Sequence, residues 1–216
     1  TFNQVEYGIY TNKDYGNVRG LELKLDYSFN NLFIQTNYTY QFTRGNADNP
    51  AQTFNRQGAS IDEVIRFIPM SWDQRHTFNL SLGYNTALYG ITATGYYNSG
   101  TPYTFSPQGE SNLALLNLYP NNDYKPSNYY ADLSGYINLP KLFGVSSRLD
   151  FLVYNLTDRY NEYGVSSETG RAYTAVVNET ELLSHRSNFN TYEDRYKDPS
   201  MFSSPRQIKL GLTVLF

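Results

Sequence analysis

The sequence predicts an all-β protein: a transmembrane antiparallel up-and-down β-barrel segment of about eight strands with long extracellular loops. Three observations predict it. Apolar and polar residues alternate with period two in run after run. Most runs reach about 10 to 12 residues, roughly double the common strand length of soluble proteins, and a tilted strand needs about 9–11 to cross a bilayer core. The connections between runs alternate short and long, the rule for outer-membrane barrels with short periplasmic turns and long outer loops.

Taken in order, a weak run of Val5, Tyr7 and Ile9 opens the chain. From Gly20 to Asn30, Leu21, Leu23, Leu25, Tyr27 and Phe29 share one face, and Glu22, Lys24, Asp26, Ser28 and Asn30 the other. Leu32, Ile34, Tyr38, Tyr40 and Phe42 then oppose Gln35, Asn37, Thr39, Gln41 and Thr43. Further on, Phe78, Leu80, Leu82 and Tyr84 oppose Thr77, Asn79, Ser81 and Asn85, and Tyr89, Ile91, Ala93 and Tyr97 oppose Thr92, Thr94 and Asn98. Ala131, Leu133, Ile137 and Leu139 face away from Asp132, Ser134 and Asn138; Leu149, Phe151 and Val153 from Arg148 and Asp150. The last run, Ile208 to Phe216, sets Leu210, Leu212 and Val214 against Gln207, Lys209, Gly211 and Thr213.

Short turns are expected at Asn30-Asn31, Thr86-Ala87-Leu88 and Pro140 to Gly144, and long polar segments at 45–74, 100–127 and 159–204. On that alternation the first strand runs outward and the eighth inward, leaving Phe216 at the periplasmic rim; the brief Asn12 to Asn17 connection is the irregular one. Aromatic residues gather near strand ends, at Tyr38-Tyr40-Phe42, Tyr96-Tyr97 and Tyr129-Tyr130, as interfacial girdles require. No helical period of comparable quality appears. A soluble β-sandwich would alternate equally well, but its strands are shorter, its loops do not alternate in length and its exposed faces carry more Lys and Glu.

Composition narrows the class further. The 216 residues, read as one domain over 1–216, include 22 Tyr and 13 Phe but no Cys, which excludes a disulfide framework and a thiolate metal site. A net charge of −3 without a basic stripe excludes nucleic acid as a partner. Mean hydropathy is negative and no run approaches the ~18 apolar residues of a helical span, a rule that does not touch barrel strands. The opening Thr1-Phe2-Asn3-Gln4 has no leader pattern, so the expectation is a removed leader or a piece of a longer chain.

Candidate chemistry is sparse, and no catalytic, cofactor-binding or metal-ligating residue is assigned. His76, close to Asp73, reads as the outer end of a strand rather than a general base or ligand, and His185 has no recognisable partner. No nucleophile elbow or triad spacing supports a hydrolase, so no enzyme and no cofactor are expected. Glu22, Lys24, Asp26, Arg148, Asp150 and Lys209 would line a polar lumen, among small neighbours such as Thr77, Asn79, Ser81, Thr92 and Thr94. Asn121-Asn122-Asp123 and Glu193-Asp194 read as solvated turns more readily than as divalent-cation sites. Asn37, Asn79, Asn155 and Asn178 match the glycosylation pattern, three of them through strand alternation. The loops are rich in Tyr, Asn and Ser, which suit stacking and hydrogen bonding to a ligand but do not name it.

Several segments occur in a telling order: Asn17-Val18-Arg19-Gly20-Leu21-Glu22-Leu23, Asp73-Gln74-Arg75-His76-Thr77-Phe78, Ser99-Gly100-Thr101-Pro102-Tyr103, Asn155-Leu156-Thr157-Asp158-Arg159-Tyr160-Asn161, Thr169-Gly170-Arg171-Ala172-Tyr173, and Pro205-Arg206-Gln207-Ile208-Lys209-Leu210-Gly211 before the terminal strand. Together they resemble the C-terminal part of TonB-dependent outer-membrane transporters, especially the large barrels common in Bacteroidetes-like bacteria. The resemblance implies a barrel of about 22 strands in the bacterial outer membrane, plugged by an N-terminal domain. It would import a scarce nutrient with energy from a TonB-type inner-membrane partner, and its terminal aromatic strand would be read by the barrel-assembly machinery. The chain departs from that pattern in carrying no plug, no TonB-contacting segment and too few strands. The expectation is therefore a C-terminal fragment, or one chain of a split barrel, forming wall and surface loops. Its partners would be outer-membrane lipid, the remaining strands and plug domain, and the nutrient ligand. The rival expectation is an autonomous eight-stranded barrel with a structural or adhesive role.

Overall fold

A computed structural model describes residues 12, 14–58, 66–106, 119–173 and 197–215. Along the chain run strands β1 (Gly16–Phe29) and β2 (Leu32–Gly45), helix α1 (Pro50–Gly58), then β3 (Ile68–Pro69), β4 (His76–Asn85) and β5 (Tyr89–Asn98). There follow β6 (Pro102–Tyr103), β7 (Asp123–Tyr124), β8 (Asn128–Leu142), β9 (Val145–Tyr154), a 3₁₀ turn at Pro199–Met201 and β10 (Gln207–Leu215). The seven long strands lie side by side in chain order, β1-β2-β4-β5-β8-β9-β10, each antiparallel to its neighbour. β3 adds two residues to β2, and β6 pairs with β7 in a separate ribbon. Among the described residues this is an up-and-down meander, open at β1 and β10, which are its two edges.

The tight turns show why the strands reverse where they do. Asn30 takes a left-handed φ of 52° between β1 and β2, a conformation Asn tolerates better than most residues. Phe143 and Gly144 both have positive φ (49° and 84°), the mirror-image turn whose twist matches flanking strands. Between β4 and β5 the Thr86 hydroxyl accepts from the amides of Leu88 and Tyr89, at 3.3 and 3.0 Å.

Seven of the eight expected runs are strands; the eighth, Val5 to Ile9, lies outside the described residues, as does Phe216. The turn expected at Pro140 to Gly144 is shorter, because β8 runs on to Leu142. Its ladder with β9 shifts register between Leu139 and Leu142, and a bulge is where a strand tolerates a proline with no amide hydrogen to donate. β1 begins at Gly16, so the Asn12 to Asn17 connection gives up its last two residues to the strand. The long polar segment expected over 45–74 contains the helix α1, which the search for a helical period did not single out. Its signal was present: Asn49 Oδ1 accepts from Gln52 N (3.1 Å), Pro50 occupies the first helical position, and Gln52 Oε1 accepts from Asp48 N (2.9 Å). Nine residues give a hydrophobic period too little length to stand out among the long strand runs.

Register decides how the sheet presents its side chains. Leu21 pairs with Tyr40, Leu23 with Tyr38 and Tyr27 with Ile34; Ile34 then pairs with Leu82, and Tyr84 with Ile91. Tyr89 pairs with Ile137, Ile137 with Leu149, and Leu149 with Leu212. All seven alternations therefore fall in phase, giving one apolar and one polar face from edge to edge. Buried apolar side chains are few and lie outside the long strands: Ile68, Met70 and Ala172.

Two glycines test how tightly the connections are built. A Cβ on Gly100 would run into the backbone carbonyl of Lys125, whose amide donates to Thr101 O at 3.0 Å; a Cβ on Gly95 would meet nothing within 4 Å. Gly100→Ala is expected to destabilise by about 1–3 kcal/mol, the usual cost of overpacking, and Gly95→Ala to be neutral or slightly stabilising. Urea unfolding followed by circular dichroism compares them, and equal midpoints would refute the distinction.

Candidate functional site

The apolar face is the largest feature available for function. Along β1, Leu21, Leu23 and Leu25 are each more than half exposed, and at the other edge Leu210 is 83% exposed. Between them Leu82, Ile91, Ile137 and Leu149 are also exposed, so the band is continuous across the sheet. Burying a leucine or isoleucine is worth about 1.5–3 kcal/mol, so a face of this kind in water forgoes much of the energy that holds ordinary folds together. Contiguous apolar patches of this sort mark surfaces that meet another protein or a membrane.

Aromatic residues border the band along both ends. At the loop end the Tyr38 hydroxyl lies 2.9 Å from His76 Nδ1, and the Tyr40 ring stacks on His76 at 5.0 Å and meets Phe42 edge-on at 5.0 Å. Tyr97 and Tyr129 continue this border as a register pair. At the turn end Tyr84 and Tyr89 lie 6.1 Å apart, with Phe29 near the edge. On β4, His76 and Tyr84 are eight residues apart, about 27 Å at ~3.4 Å per residue.

The loop end is clamped by buried polar groups that complete the hydrogen bonding where the ladders stop. Asp73 is fully buried: its Oδ1 accepts from Thr43 N (2.7 Å), and its Oδ2 from Arg75 Nε (2.7 Å) and the Tyr124 hydroxyl (3.1 Å). Arg75 also stacks on Phe42 at 4.3 Å. Burial acts to lower the Arg75 pKa, but the hydrogen bond and charge of Asp73 outweigh it and leave it raised. Burial, then the Asp73 charge, raises the Tyr124 phenol, which therefore stays neutral beside the Arg75 guanidinium. Next to it, buried Asn121, at φ 58°, donates to Asp48 and to Pro69 O (3.0 Å). Burial and a hydrogen bond to Asp123 push the Tyr103 phenol up to about 12.

A second clamp forms at the other side of the loop end. Asn161, almost wholly buried, receives Tyr129 N (3.0 Å) and donates to Tyr129 O (2.9 Å), taking the place of a missing strand neighbour. Asn155, at φ 51°, donates to Arg159 O and Ser204 O and accepts from Arg159 N. Arg159 lies over the Tyr129 ring at 4.0 Å and donates to its hydroxyl at 2.6 Å. Glu162 binds Arg171 through both oxygens and accepts from the Ala172 amide (2.6 Å). Its carboxyl is held below the ordinary range, first by the Arg171 hydrogen bond and then, against the cost of burial, by the Ala172 amide.

No protein-family model matches the chain, and no curated protein or solved structure matches it. What the chain can do therefore rests on these geometries.

On the polar face the expected lumen charges pair locally. Lys24 and Asp26 are 3.1 Å apart, Arg148 and Asp150 2.7 Å, and Asn37 donates to Glu22 at 2.8 Å. Lys209 lies over the Tyr154 ring at 5.1 Å. Near the second clamp the face opens into a cleft of about 360 Å³, lined by Tyr130, Asp132, Tyr154, Tyr163, Ser204 and Gln207 among others. Tyr130 stacks on Tyr96 at 4.9 Å, which makes the cleft a small aromatic platform beside one carboxylate.

His76 begins β4 in the aromatic border, and Asp73 is engaged by Thr43, Arg75 and Tyr124. Asn121 is a buried structural donor, Asn122 holds Phe105 through its main chain, and Asp123 accepts from Tyr103. Among the described residues no three metal-ligating side chains come together. His185, Glu193, Asp194 and Asn178 lie outside the described residues. Sequence reasoning missed Asn161 as a strand substitute and Tyr124 as the third member of the Asp73 cluster. Nothing local signals either, because both act over separations of more than thirty residues.

Two predictions follow from the clamps. Asp73→Ala leaves Arg75 and the Thr43 amide without their partner, and should destabilise by about 3 kcal/mol; Asp73→Asn, which still accepts from Thr43, should cost less. Denaturant unfolding of both variants measures this, and an unaltered Asp73→Ala midpoint would refute it. Because the Glu162 pKa is depressed on folding, its contribution is complete above the unfolded value of about 4.3. That contribution is lost as pH falls through the lower folded value. Hydrogen exchange at the Ala172 amide should therefore be flat from pH 7 to about 5, after correction for intrinsic rate, and lose protection only in more acidic solution.

Proposed function

We propose that this chain is part of the wall of a bacterial outer-membrane β-barrel, and that the barrel is an importer of the TonB-dependent kind. The observation that carries the reading is the apolar face: seven long strands keep their apolar residues in phase, with aromatic borders at both ends. A rise of about 27 Å between the borders, on a strand tilted by about 40°, gives about 20 Å across the membrane, near the ~25 Å apolar band of such barrels. The polar face, with its local ion pairs and small side chains, becomes lumen lining.

The importer part of the reading rests on the motif series. Asp73 to Phe78, Asn155 to Asn161 and Thr169 to Tyr173 supply residues of the clamps at the base of the loops, which gives the resemblance a physical content. The sheet, open among the described residues, is one support for a piece of a larger barrel over an autonomous eight-stranded one. In this reading the plug, the coupling segment and the remaining strands belong to the same polypeptide or to a companion, and the chain's own work is wall, lumen and outer loops.

This chain has no cysteine, so within it an introduced thiol is unique, and the unsubstituted polypeptide is the labelling control for any thiol elsewhere. In the native polypeptide in outer membranes, Leu80→Cys and Leu82→Cys should resist a water-soluble maleimide and react with a lipid-soluble one. Asn79→Cys and Ser81→Cys should react with both, or be shielded only by a plug. Equal labelling of the two sets by the soluble reagent would end the membrane reading. The mass of the polypeptide decides the rest: a species several times larger than 24.9 kDa supports the plugged importer. One near that mass, with no companion chain, removes it.

A further inference from the structure

The loop-end rim of the apolar face gathers cations. Arg19 pairs with Phe42 across β1 and β2, one step beyond Leu21 and Tyr40 on the same face, and its guanidinium lies 6.0 Å from the Phe42 ring. Arg75 approaches that ring to 4.3 Å. Arg44, the next residue on this face of β2 after Phe42, lines a cleft of about 360 Å³ with Arg66, Arg75, Phe67 and Tyr119. Of these cations Arg75 is balanced by Asp73; Arg19, Arg44 and Arg66 have no ion pair among the described residues, and no carboxylate lines the cleft. The whole chain carries −3, so this local excess of positive charge runs against the composition. Arg44 also borders a neighbouring groove with Val18 and the chain's single Trp, Trp72, which is half exposed; Asp14 and Asp48 line that groove too, and they accept from Thr53 and from Ser71 and Asn121 rather than pairing with Arg44.

We propose that this rim is a docking site for a phosphate-bearing lipid headgroup, whose acyl chains run down the apolar face below Tyr40. The inference rests on the membrane reading above and adds to it a specific lipid partner. Guanidinium groups bind phosphate oxygens in pairs of parallel hydrogen bonds, and three of them without an ion pair among the described residues suit a headgroup with more than one negative charge. A free anion would satisfy only the arginines. A phosphorylated lipid satisfies the arginines, the aromatic border and the leucines beneath in one molecule, because Arg19 and Arg44 continue the same strand faces that carry Leu21, Tyr40 and Phe42.

The test uses the intact native polypeptide, delipidated in nonionic detergent and returned to phosphatidylcholine vesicles with or without phosphatidic acid. Phosphatidic acid should be retained on re-extraction in excess over its share of the bilayer. The Arg44→Gln/Arg66→Gln pair should weaken that retention roughly tenfold or more. Neither side chain makes a hydrogen bond or ion pair among the described residues, so the fold should survive, and Arg19→Gln provides an independent variant with a smaller loss. Insertion into phosphatidylcholine without enrichment of phosphatidic acid, or enrichment unchanged in the variants, would overturn the lipid site and leave the membrane reading standing. Inorganic phosphate binding as tightly as phosphatidic acid would also overturn it, in favour of a soluble anion. Failure to enter any bilayer would remove the membrane reading and the lipid site together.

Discussion

The phase of seven alternations is the constraint on which everything else in this sheet depends. In a β-strand the side chains point alternately to the two faces, so a slip of one residue in any ladder would send that strand's leucines to the polar face and its charges to the apolar one. The ladders avoid this by turns that fix their register. Asn30 and the Phe143-Gly144 pair take left-handed conformations, and the Thr86 hydroxyl ties down the turn between β4 and β5. The bulge between Leu139 and Leu142 falls next to a turn, where a local shift disturbs no further pairing.

The loop end solves a different problem. Where the ladders stop, backbone amides and carbonyls lose their strand partners, and a buried group left unpaired costs about 1–3 kcal/mol. Asp73 supplies an acceptor for Thr43, and Asn161 supplies both an acceptor and a donor for Tyr129. Arg75 and Arg159 then bind the carboxylate and the amide that do this work, and each lies over an aromatic ring. The two clamps thus share a design: a short buried polar side chain completes the sheet, and an arginine locks it from the solvent side.

Much of the fold was legible in the sequence because period two is a local signal. Leu21 to Phe29 or Phe78 to Tyr84 can be assigned to one face without knowing which strand lies alongside. Three of the six strand adjacencies followed from short turns, β1 to β2, β4 to β5 and β8 to β9, since strands joined by two or three residues have to be neighbours; the other three cross long segments. The site was less legible. Asp73 and Arg75 stood out as part of a motif, but their partners Thr43 and Tyr124 come from segments far off in the chain. Helix α1 was hard to see because nine residues are too few for an apolar period to stand out, and its start is marked by the cap at Asn49 and Gln52.

The open edges and the apolar face constrain each other. Each edge strand carries a row of backbone donors and acceptors, along Gly16–Phe29 on one side and Gln207–Leu215 on the other. In water such an edge is tolerable, since solvent pairs with it, but the apolar face beside it is not. In hydrocarbon the face is at rest, but each unpaired backbone group costs several kcal/mol, and only a closed barrel removes the cost. No single environment suits both features of the sheet as it stands. On the proposed reading they are reconciled by further strands that add to β1 and β10 until the wall closes, with the apolar side outward and the polar side around a lumen. In that proposal the membrane and the added strands answer one requirement, set by where the leucines of β1 and β10 point and by the backbone groups these two edges leave unpaired among the described residues.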